Sequence, residues 1–259
     1  MELKYQSIAA DLRERIAAAE FAAGRHLPSE AELGGAYAAS RMTVRKALEA
    51  LRDEGLVGSR QGFGWFVAAP PLRQSLARLG TIEAQLAESG RRSERRILDF
   101  AFVAAPPRAA AVLGAGRVLA VRRVNVVFPE RLPPPVSGRH PPSPGGVAWA
   151  RVTVWCPEGL AAHLSLADVE RTTFHELLGV ELAGATQTIA AAAVEAADAE
   201  VLGVPVGSPA LVCERVTRSV GGDPVLVAEH VFPGHLTEFV VELTTVESSV
   251  APSGLRLVR

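Results

Sequence analysis

The chain has 259 residues, 48% of them hydrophobic, and a formal net charge of -1. This length suffices for one large domain or two ordinary ones, and the composition is that of a globular protein. Because the net charge is close to zero, nucleic-acid binding would have to rest on a local cluster of charge. The charged N-terminus lacks the apolar core of a signal peptide and no later segment reaches membrane-spanning length, so we expect a cytoplasmic protein with no membrane partner.

Three helical patterns and a hairpin pattern open the chain. Apolar residues recur every four positions over residues 8–16, which is the spacing of one helix face. Ser29 begins an S-x-x-E capping box, which predicts the start of a short second helix. A third helix is predicted over residues 42–54 with Ser40 as its N-cap, and residues 56–67, "LVGSRQGFGWFV", have the pattern strand, glycine-rich turn, strand. Three helices followed by a hairpin predict a winged helix-turn-helix.

Polar and cationic side chains are concentrated near the start of the third helix, away from its apolar stripe. A helix that enters the major groove needs such groups at this end, because they reach base edges and flanking phosphates. Glycine at the hairpin tip allows a close approach to the DNA backbone or minor groove. We therefore predict DNA contacts by Ser40, Arg41, Thr43, Arg45, Gln61 and Gly62. The alternative is that Arg41 and Arg45 lie on a solvated helix face that binds nothing.

The composition changes after the hairpin. Pro70 and Pro71 cannot continue a helix and suit a semi-rigid linker. Strand patterns then cover residues 97–103, 118–128, 147–156, 185–196, 209–220, 225–232 and 238–245, and helical patterns cover residues 81–88, 172–178 and 198–202. This mixture predicts an α+β domain with a mainly antiparallel sheet. The predicted organisation is a winged helix-turn-helix domain at 1–69, a linker at 70–78, an α+β domain at 79–246 and a C-terminal tail at 247–259.

A segment rich in proline and glycine, residues 129–146, interrupts the strand patterns of the second domain. Its composition does not favour a packed element, so we predict an extended loop, either a tolerated insertion or a polyproline segment that binds a partner. Cys156 and Cys213 lie in apolar strand patterns, and we expect buried thiols rather than a disulfide.

Three motifs, "LPSEAEL", "SRMTVRKALEALRDEGLV" and "RQGFGWFV", follow one another within residues 27–67. They resemble the winged-helix domain of GntR-family bacterial transcription regulators, in which the start of the recognition helix and the wing tip bind DNA. The resemblance implies contacts by Ser40, Arg41, Arg45, Gln61 and Gly62, with Thr43 as a further candidate. The chain departs from the family at Ala31, where an arginine is common, and at the wing, where Phe63 and Trp65 replace a basic residue and a threonine. We therefore expect fewer phosphate contacts and a hydrophobic wing that packs on its own domain, the alternative being that Phe63 stacks or wedges in the minor groove.

Later segments, among them "VLAVRRVNVV", "TFHELLGVELAGATQTIAA" and "TEFVVEL", resemble the ligand-sensing UTRA domain of the HutC-type branch of that family, between residues 79 and 243. The resemblance implies a fold like that of chorismate lyase without its activity, dimerisation through this domain, and a pocket for a small effector. In the family, the equivalents of Thr81, Ile82, Arg123, Asn125 and Thr173 line that pocket.

The chemistry of these residues suits a binding site. Arg123 and Asn125 alternate onto one face of a predicted strand, and Thr81 and Thr173 each open a predicted helix, where free N–H groups attract an anion. The alternative is that Arg123 forms a surface ion pair and that both threonines are only caps. Asn125 stands where the family has an arginine, and Val152 where it has a glutamate, so we expect a less charged pocket than is usual.

The leading hypothesis is a dimeric repressor that an effector releases from an inverted-repeat operator. An enzyme is the alternative from another class, but the sequence has no metal-site spacing, P-loop or G-x-S-x-G motif, and the adjacent residues Glu229 and His230 would face opposite ways on a strand. A third possibility is a DNA-binding dimer whose second domain only dimerises and binds no effector. We thus expect no catalytic residue, metal or cofactor, and as partners a double-stranded DNA operator, a small effector and a second copy of the chain.

Overall fold

The computed structural model describes residues 3–18, 20–21, 23–60, 64–68, 72–75, 92–128 and 146–241. Four predicted features lie wholly or almost wholly outside these ranges: the hairpin tip at 61–63, the helical pattern at 81–88, the proline-rich segment at 129–146 and the tail at 247–259. Among the described residues, no helix is long and apolar enough to cross a membrane.

The N-terminal unit has the predicted order of a winged helix-turn-helix. Its elements are α1 (Lys4–Ala17), α2 (Glu30–Ala36), α3 (Arg41–Asp53), β1 (Val57–Arg60) and β2 (Gly64–Val67), and β1 and β2 form an antiparallel hairpin. The apolar stripes seen in the sequence become the core, in which Ile8 and Leu12 of α1 pack with Val44, Leu48 and Leu51 of α3. Burying each of these side chains contributes about 1.5–3 kcal/mol. Tertiary packing of this kind holds helices that are too short to be stable alone.

Side-chain caps set where α2 and α3 begin. Ser29 Oγ accepts a hydrogen bond from the Glu32 backbone N–H (3.2 Å), and the Glu32 carboxylate accepts one from the Ser29 N–H (2.8 Å), which confirms the predicted capping box. At the start of α3, Ser40 Oγ accepts a hydrogen bond from the Thr43 N–H (3.2 Å). Such a cap contributes about 1 kcal/mol. It also fixes the first turn of α3, where the predicted DNA contacts lie.

The turn between α2 and α3 holds a non-glycine residue in the left-handed region, since Ala38 has φ +45°. A Cβ atom is unfavourable there, so we expect Ala38→Gly to raise the free energy of unfolding by about 0.5–1 kcal/mol, after allowance for the extra chain entropy of glycine. Denaturant unfolding measures the change. As a control, Ala10→Gly in the interior of α1 should lower stability by a similar amount. Equal destabilisation by both substitutions would contradict the assigned strain.

The second domain is an antiparallel sheet with short helices. Its strands are β4 (Ser93–Ala104), β5 (Arg117–Val127), β6 (Val147–Pro157), β7 (Leu182–Ala193), β8 (Pro209–Ser219) and β9 (Pro224–Pro233). Its helices are α4 (Pro107–Leu113), α5 (Glu158–Ala161), α6 (Leu166–Arg171), α7 (Phe174–Leu177) and α8 (Ala196–Leu202). These strands form one sheet in the order β4-β5-β6-β9-β8-β7, and each neighbouring pair is antiparallel. The predicted α+β fold class is therefore confirmed.

Different helices cover the two faces of this sheet. On one face, Val169 of α6 and Phe174 of α7 belong to the main hydrophobic cluster of the sheet. On the other face, Leu202 of α8 packs against Val231 of β9, and Leu113 of α4 packs against Val118 of β5. The sheet is thus a central layer, and a site on either face lies between strands and a short helix.

Both cysteines are free thiols in the interior, as predicted. Burial raises the pKa of the Cys156 thiol to about 12. It does the same for Cys213, although the charge of Arg215 acts in the opposite direction. Neither thiol is ionised at neutral pH, so both behave as small apolar side chains.

Part of the predicted linker is a strand. β3 (Leu72–Ser75) pairs in parallel with β10 (Thr237–Val240), the strand that follows β9 in the second domain. The register places residue 72 opposite residue 237 and residue 75 opposite residue 240. The connection between the two domains is therefore hydrogen-bonded to the second domain along four residue pairs.

The two domains also touch directly, through the base of the wing. His235 Nε2 donates a hydrogen bond of 2.9 Å to the Gly24 carbonyl, and its ring centroid lies 5.1 Å from that of Phe66 on β2. Phe66 packs in addition against the cluster around α8. Close by, the guanidinium of Arg25 lies over Gly203, at a place that a Cβ atom would otherwise fill. Burial lowers the pKa of His235 to about 4, so a neutral imidazole makes this contact at neutral pH.

Candidate nucleic-acid interface and ligand cavity

The N-terminal end of α3 presents two arginines to solvent. Arg41 and Arg45 lie one turn apart and are exposed, whereas Val44 and Leu48 on the inner side of the helix are completely buried. The buried stripe fixes the rotation of α3 and directs both guanidiniums outward. A guanidinium can bind guanine through two hydrogen bonds or neutralise a phosphate. This end of α3 therefore has the chemistry of a helix that reads DNA.

Ser40 and Thr43 have a structural role beside any contact with DNA. Their hydroxyl oxygens are 2.8 Å apart, and Ser40 is the N-cap of the helix. A hydroxyl can donate one hydrogen bond and accept two, so each retains capacity for a phosphate. Gln61 and Gly62, the predicted wing contacts, lie outside the described residues.

Two carboxylates lie near Arg45. Its Nε is 3.7 Å from Glu30 Oε1 and 3.7 Å from Glu49 Oε1. Exposed ion pairs of this kind contribute between about 0 and 1 kcal/mol, so a DNA phosphate or base edge can displace them. Glu30 also accepts a hydrogen bond of 3.1 Å from Trp65 Nε1. Trp65 is only 8% exposed, so this hydrophobic wing residue packs on its own domain, as predicted.

The sequence prediction omitted one exposed residue at the same end of α3. Met42 is 74% exposed and borders a groove of about 700 Å³ together with Leu3 and Tyr5. An apolar side chain at this place can contact a thymine methyl group in the major groove. The exposure of Met42 could have been predicted, because it follows Arg41 directly and lies outside the apolar stripe of α3.

A cleft of about 1260 Å³ lies between this surface and the second domain. Arg41, Arg45 and Arg60 line one side of the cleft, and Glu200 and Val206 line the other. A major groove is about 12 Å wide, so a duplex that received these guanidiniums, as predicted, would need room in this cleft. On this prediction, the spacing of the two domains would limit how a duplex approaches α3.

A smaller cavity of about 60 Å³ lies between the sheet of the second domain and the start of α7. Two predicted effector residues line it, Arg123 of β5 and Thr173 just before α7. Asn125 is not part of the described lining, although it is on the same strand and only 1% exposed. The pairing of β5 with β4 and β6 is regular from Arg123 to Asn125, so the two side chains share a face and Asn125 lies further along β5. Thr81 and Ile82 lie outside the described residues.

The cavity lining includes residues that sequence reasoning did not place there. Arg215 of β8 and His230 of β9 join Arg123 around it. Burial, together with the positive charges of Arg215 and Arg123, lowers the pKa of His230 to about 3, so its imidazole is neutral at neutral pH. The neighbouring Glu229 pairs instead with Arg151 at 2.8 Å, away from this cavity. The expected opposite orientation of Glu229 and His230 is confirmed.

Two family models match the chain: "Bacterial regulatory proteins, gntR family" over residues 4–67 and "UTRA domain" over residues 145–237. The chain is also 32% identical over 227 residues to the HTH-type transcriptional regulator Rv0792c of Mycobacterium tuberculosis, which covers 85% of this chain and 78% of that protein. The chain therefore belongs to the GntR family of transcription regulators, in the HutC-type branch that carries a UTRA domain.

Two further relatives extend over nearly the whole chain. The HTH-type transcriptional repressor NagR of Bacillus subtilis is 26% identical over 240 residues, which cover 91% of this chain and 93% of that protein. The crystal structure of PhnF from Mycobacterium smegmatis matches with a TM-score of 0.58 at 23% identity, covering 92% of this chain and 99% of that chain. The second likeness concerns the fold alone.

Proposed function

We propose that this chain is a cytoplasmic, homodimeric transcription repressor that binds an inverted-repeat operator through α3 and leaves it when a small effector binds the second domain. One observation carries the proposal: α3 of the winged helix-turn-helix buries its apolar side in the core and thereby exposes Arg41 and Arg45 on the opposite side. The name of the relative NagR, a repressor, supports the sign of regulation. Two copies of α3 related by a two-fold axis would read half-sites about one helical turn apart.

The course of β9 supports control by an effector. β9 carries His230 to the cavity, and the turn that follows carries His235, which contacts Gly24 of the DNA-binding domain. β10 comes next and pairs with β3 of the interdomain connection. A ligand that displaces β9 would therefore act on both attachments of the DNA-binding domain. Such a ligand can shift the equilibrium between two domain spacings only if it binds one of them more tightly, and the shift is limited by that difference in affinity.

Operator binding tests the proposal. We expect the purified protein to bind one duplex from the region upstream of its own gene at least about a thousandfold more tightly than a random duplex of equal length at moderate salt. Fluorescence anisotropy gives the affinities, and sedimentation of the complex should give two chains per duplex. Equal affinity for both duplexes would contradict sequence-specific binding, and one chain per duplex would contradict the dimer.

The small volume of the cavity, about 60 Å³, favours one alternative, in which the second domain only holds two chains together. In that case no small molecule would stabilise the protein or change its affinity for DNA. Operator binding with two chains per duplex would remain, so ligand binding at this cavity separates the two functions.

A further inference from the structure

An apolar groove lies between the N-terminal ends of α1 and α3. Leu3 and Tyr5 form its side on α1, and Met42 forms its side on α3. Leu3 is 56% exposed, so it leaves apolar surface in contact with water, as Met42 does. Single exposed apolar residues are common on protein surfaces, but several around one groove indicate a place where a partner is bound.

Two contacts hold this end of α1 beside α3. Lys4 Nζ donates a hydrogen bond of 2.6 Å to the Ala38 carbonyl, in the turn that precedes α3. Lys46 Nζ of α3 lies 4.4 Å from the centroid of the Tyr5 ring, and a cation over an aromatic face is attracted to it. The two sides of the groove are therefore held together by contacts within the DNA-binding domain itself.

The charges around the groove favour a polyanion as the partner. Lys4, Arg45 and Lys46 belong to its lining. The carboxylate among the described lining residues, Glu49, lies 3.7 Å from Arg45 Nε, so it balances only part of this positive charge. An ammonium group has three donors, so Lys4 and Lys46 can still bind phosphate oxygens while they make the contacts described above. Cations beside an apolar strip match the edge of a DNA groove, where phosphates flank the bases.

Met42 has a position on α3 from which a base edge can be reached. It is the second residue of the helix, next to Arg41, and Lys46 lies one turn further along the same row. Because helical side chains lean toward the N-terminus, Met42 extends toward the end of α3 that is expected to enter the major groove.

The apolar character of Met42 selects among the bases. In the major groove, thymine carries a methyl group, whereas adenine, guanine and cytosine present mainly hydrogen-bonding groups. Such a group would lose water without gaining a partner if it faced a thioether side chain, which is unfavourable. A methyl group gains from the same contact, because apolar surface of both partners leaves water.

We propose that this groove reads one thymine in each half-site of the operator, in that Met42 contacts the 5-methyl group and Leu3 and Tyr5 form the apolar wall beside it. The inference rests on the proposed function, because it names a base that the surface around α3 selects. It makes Met42 a specificity-determining residue, and it extends the DNA contacts from α3 to the start of α1.

Replacement of thymine by deoxyuridine tests the proposal, because it removes the methyl group and keeps the base pair. Each thymine of the operator is replaced in turn at both symmetry-related positions, and fluorescence anisotropy gives the affinity. Burial of one methyl-sized group strengthens binding about fourfold, so one pair of replacements should weaken binding of the parent protein about fifteenfold. At that position Met42→Ala should bind the thymine and deoxyuridine duplexes with nearly equal affinity.

The matched control is Leu98→Ala, which removes an exposed apolar residue from the second domain, where Leu98 is 44% exposed. This variant should retain the full effect of deoxyuridine. The proposal would be overturned if deoxyuridine weakened binding at no position, or if Met42→Ala showed the same pattern of effects as the parent. Specific operator binding with either of these results would refute only the thymine contact. Equal affinity for the operator and a random duplex would refute the regulator itself, and the thymine contact with it.

Discussion

Replacing Arg41 and Arg45 together with alanine is expected to weaken operator binding by about 2–6 kcal/mol, which is at least about thirtyfold, because each base-contacting arginine contributes about 1–3 kcal/mol. Both side chains are exposed, and the ion pairs of Arg45 with described residues of its own domain are long, at 3.7 Å. The substitutions should therefore leave the fold unchanged. Anisotropy titration at one fixed salt concentration gives the affinity change, and circular dichroism confirms that the variant is folded.

The salt dependence of the same variant separates two roles for these arginines. An arginine on a phosphate reduces the slope of log K against log salt by about 1 when it is removed, whereas one on a base edge changes sequence preference instead. The control is Arg117→Ala, which removes an exposed arginine from the second domain, where it pairs with Glu158 at 3.3 Å. Unchanged affinity in the double variant, or an equal loss in the control, would show that α3 does not read the DNA.

Asp198→Ala is expected to destabilise the second domain by about 3–5 kcal/mol, since it leaves a buried arginine without its main partner. Arg151 binds both oxygens of this carboxylate, at 2.8 and 2.6 Å, and Arg122 donates a further hydrogen bond of 2.9 Å. The side chains of Arg151 and Asp198 are 9% and 11% exposed. The pair attaches α8 to β6 and thereby supports the cluster on which Phe66 of the wing packs. Differential scanning calorimetry should show a melting temperature lower by about 10 °C.

The acid side of the stability curve provides an independent readout of this pair. Burial alone would raise the pKa of the Asp198 carboxyl, but the hydrogen bonds and charges of Arg151 and Arg122 outweigh it, so the pKa lies below its ordinary value. The charged form is thus favoured in the folded state, and the stabilisation is complete above the ordinary pKa of about 4 and lost as the pH falls through the lower, folded value. The stability difference between the parent and Asp198→Ala should therefore shrink below about pH 4.

An exposed ion pair serves as the comparison. Glu158→Ala removes the partner of Arg117, in which the side chains are 43% and 59% exposed, and should change stability by less than about 1 kcal/mol. Similar effects of the two substitutions would contradict the importance assigned to burial of the Asp198 pair.

The DNA-binding domain could be predicted closely because its signals are local. The capping box at Ser29, the cap at Ser40 and the stripe of α3 are each set by residues three or four positions apart. The short helix α4 was not predicted, although it also has local signals, Pro107 at its start and Gly114 at φ +63° after its end. The wing tip at Gln61 and Gly62 remains a prediction.

The cavity in the second domain could be predicted only in part, because it is assembled from distant strands. Alternation along β5 indicated that Arg123 faces a site, but no sequence pattern states that β9 lies between β6 and β8. That strand order brings Arg215 and His230 to the same cavity. The ion pair of Arg151 with Asp198 could not be predicted either, because the two residues are 47 positions apart on different elements. Asn125 was expected in the lining from alternation alone, but alternation gives only the face of a residue and not how far along the strand the cavity extends.

The parallel ladder between β3 and β10 determines where the two domains can be separated in a chimera. Because residues 72–75 are part of the sensor's own β-structure, the natural boundary for recombination lies before residue 72, not in the middle of the chain that joins the domains. A chimera joined there would exchange the DNA-binding domain and keep the native pairing of β3 with β10. A junction a few residues later would replace β3 with a strand from another protein, whose side chains have not been selected to pair with β10.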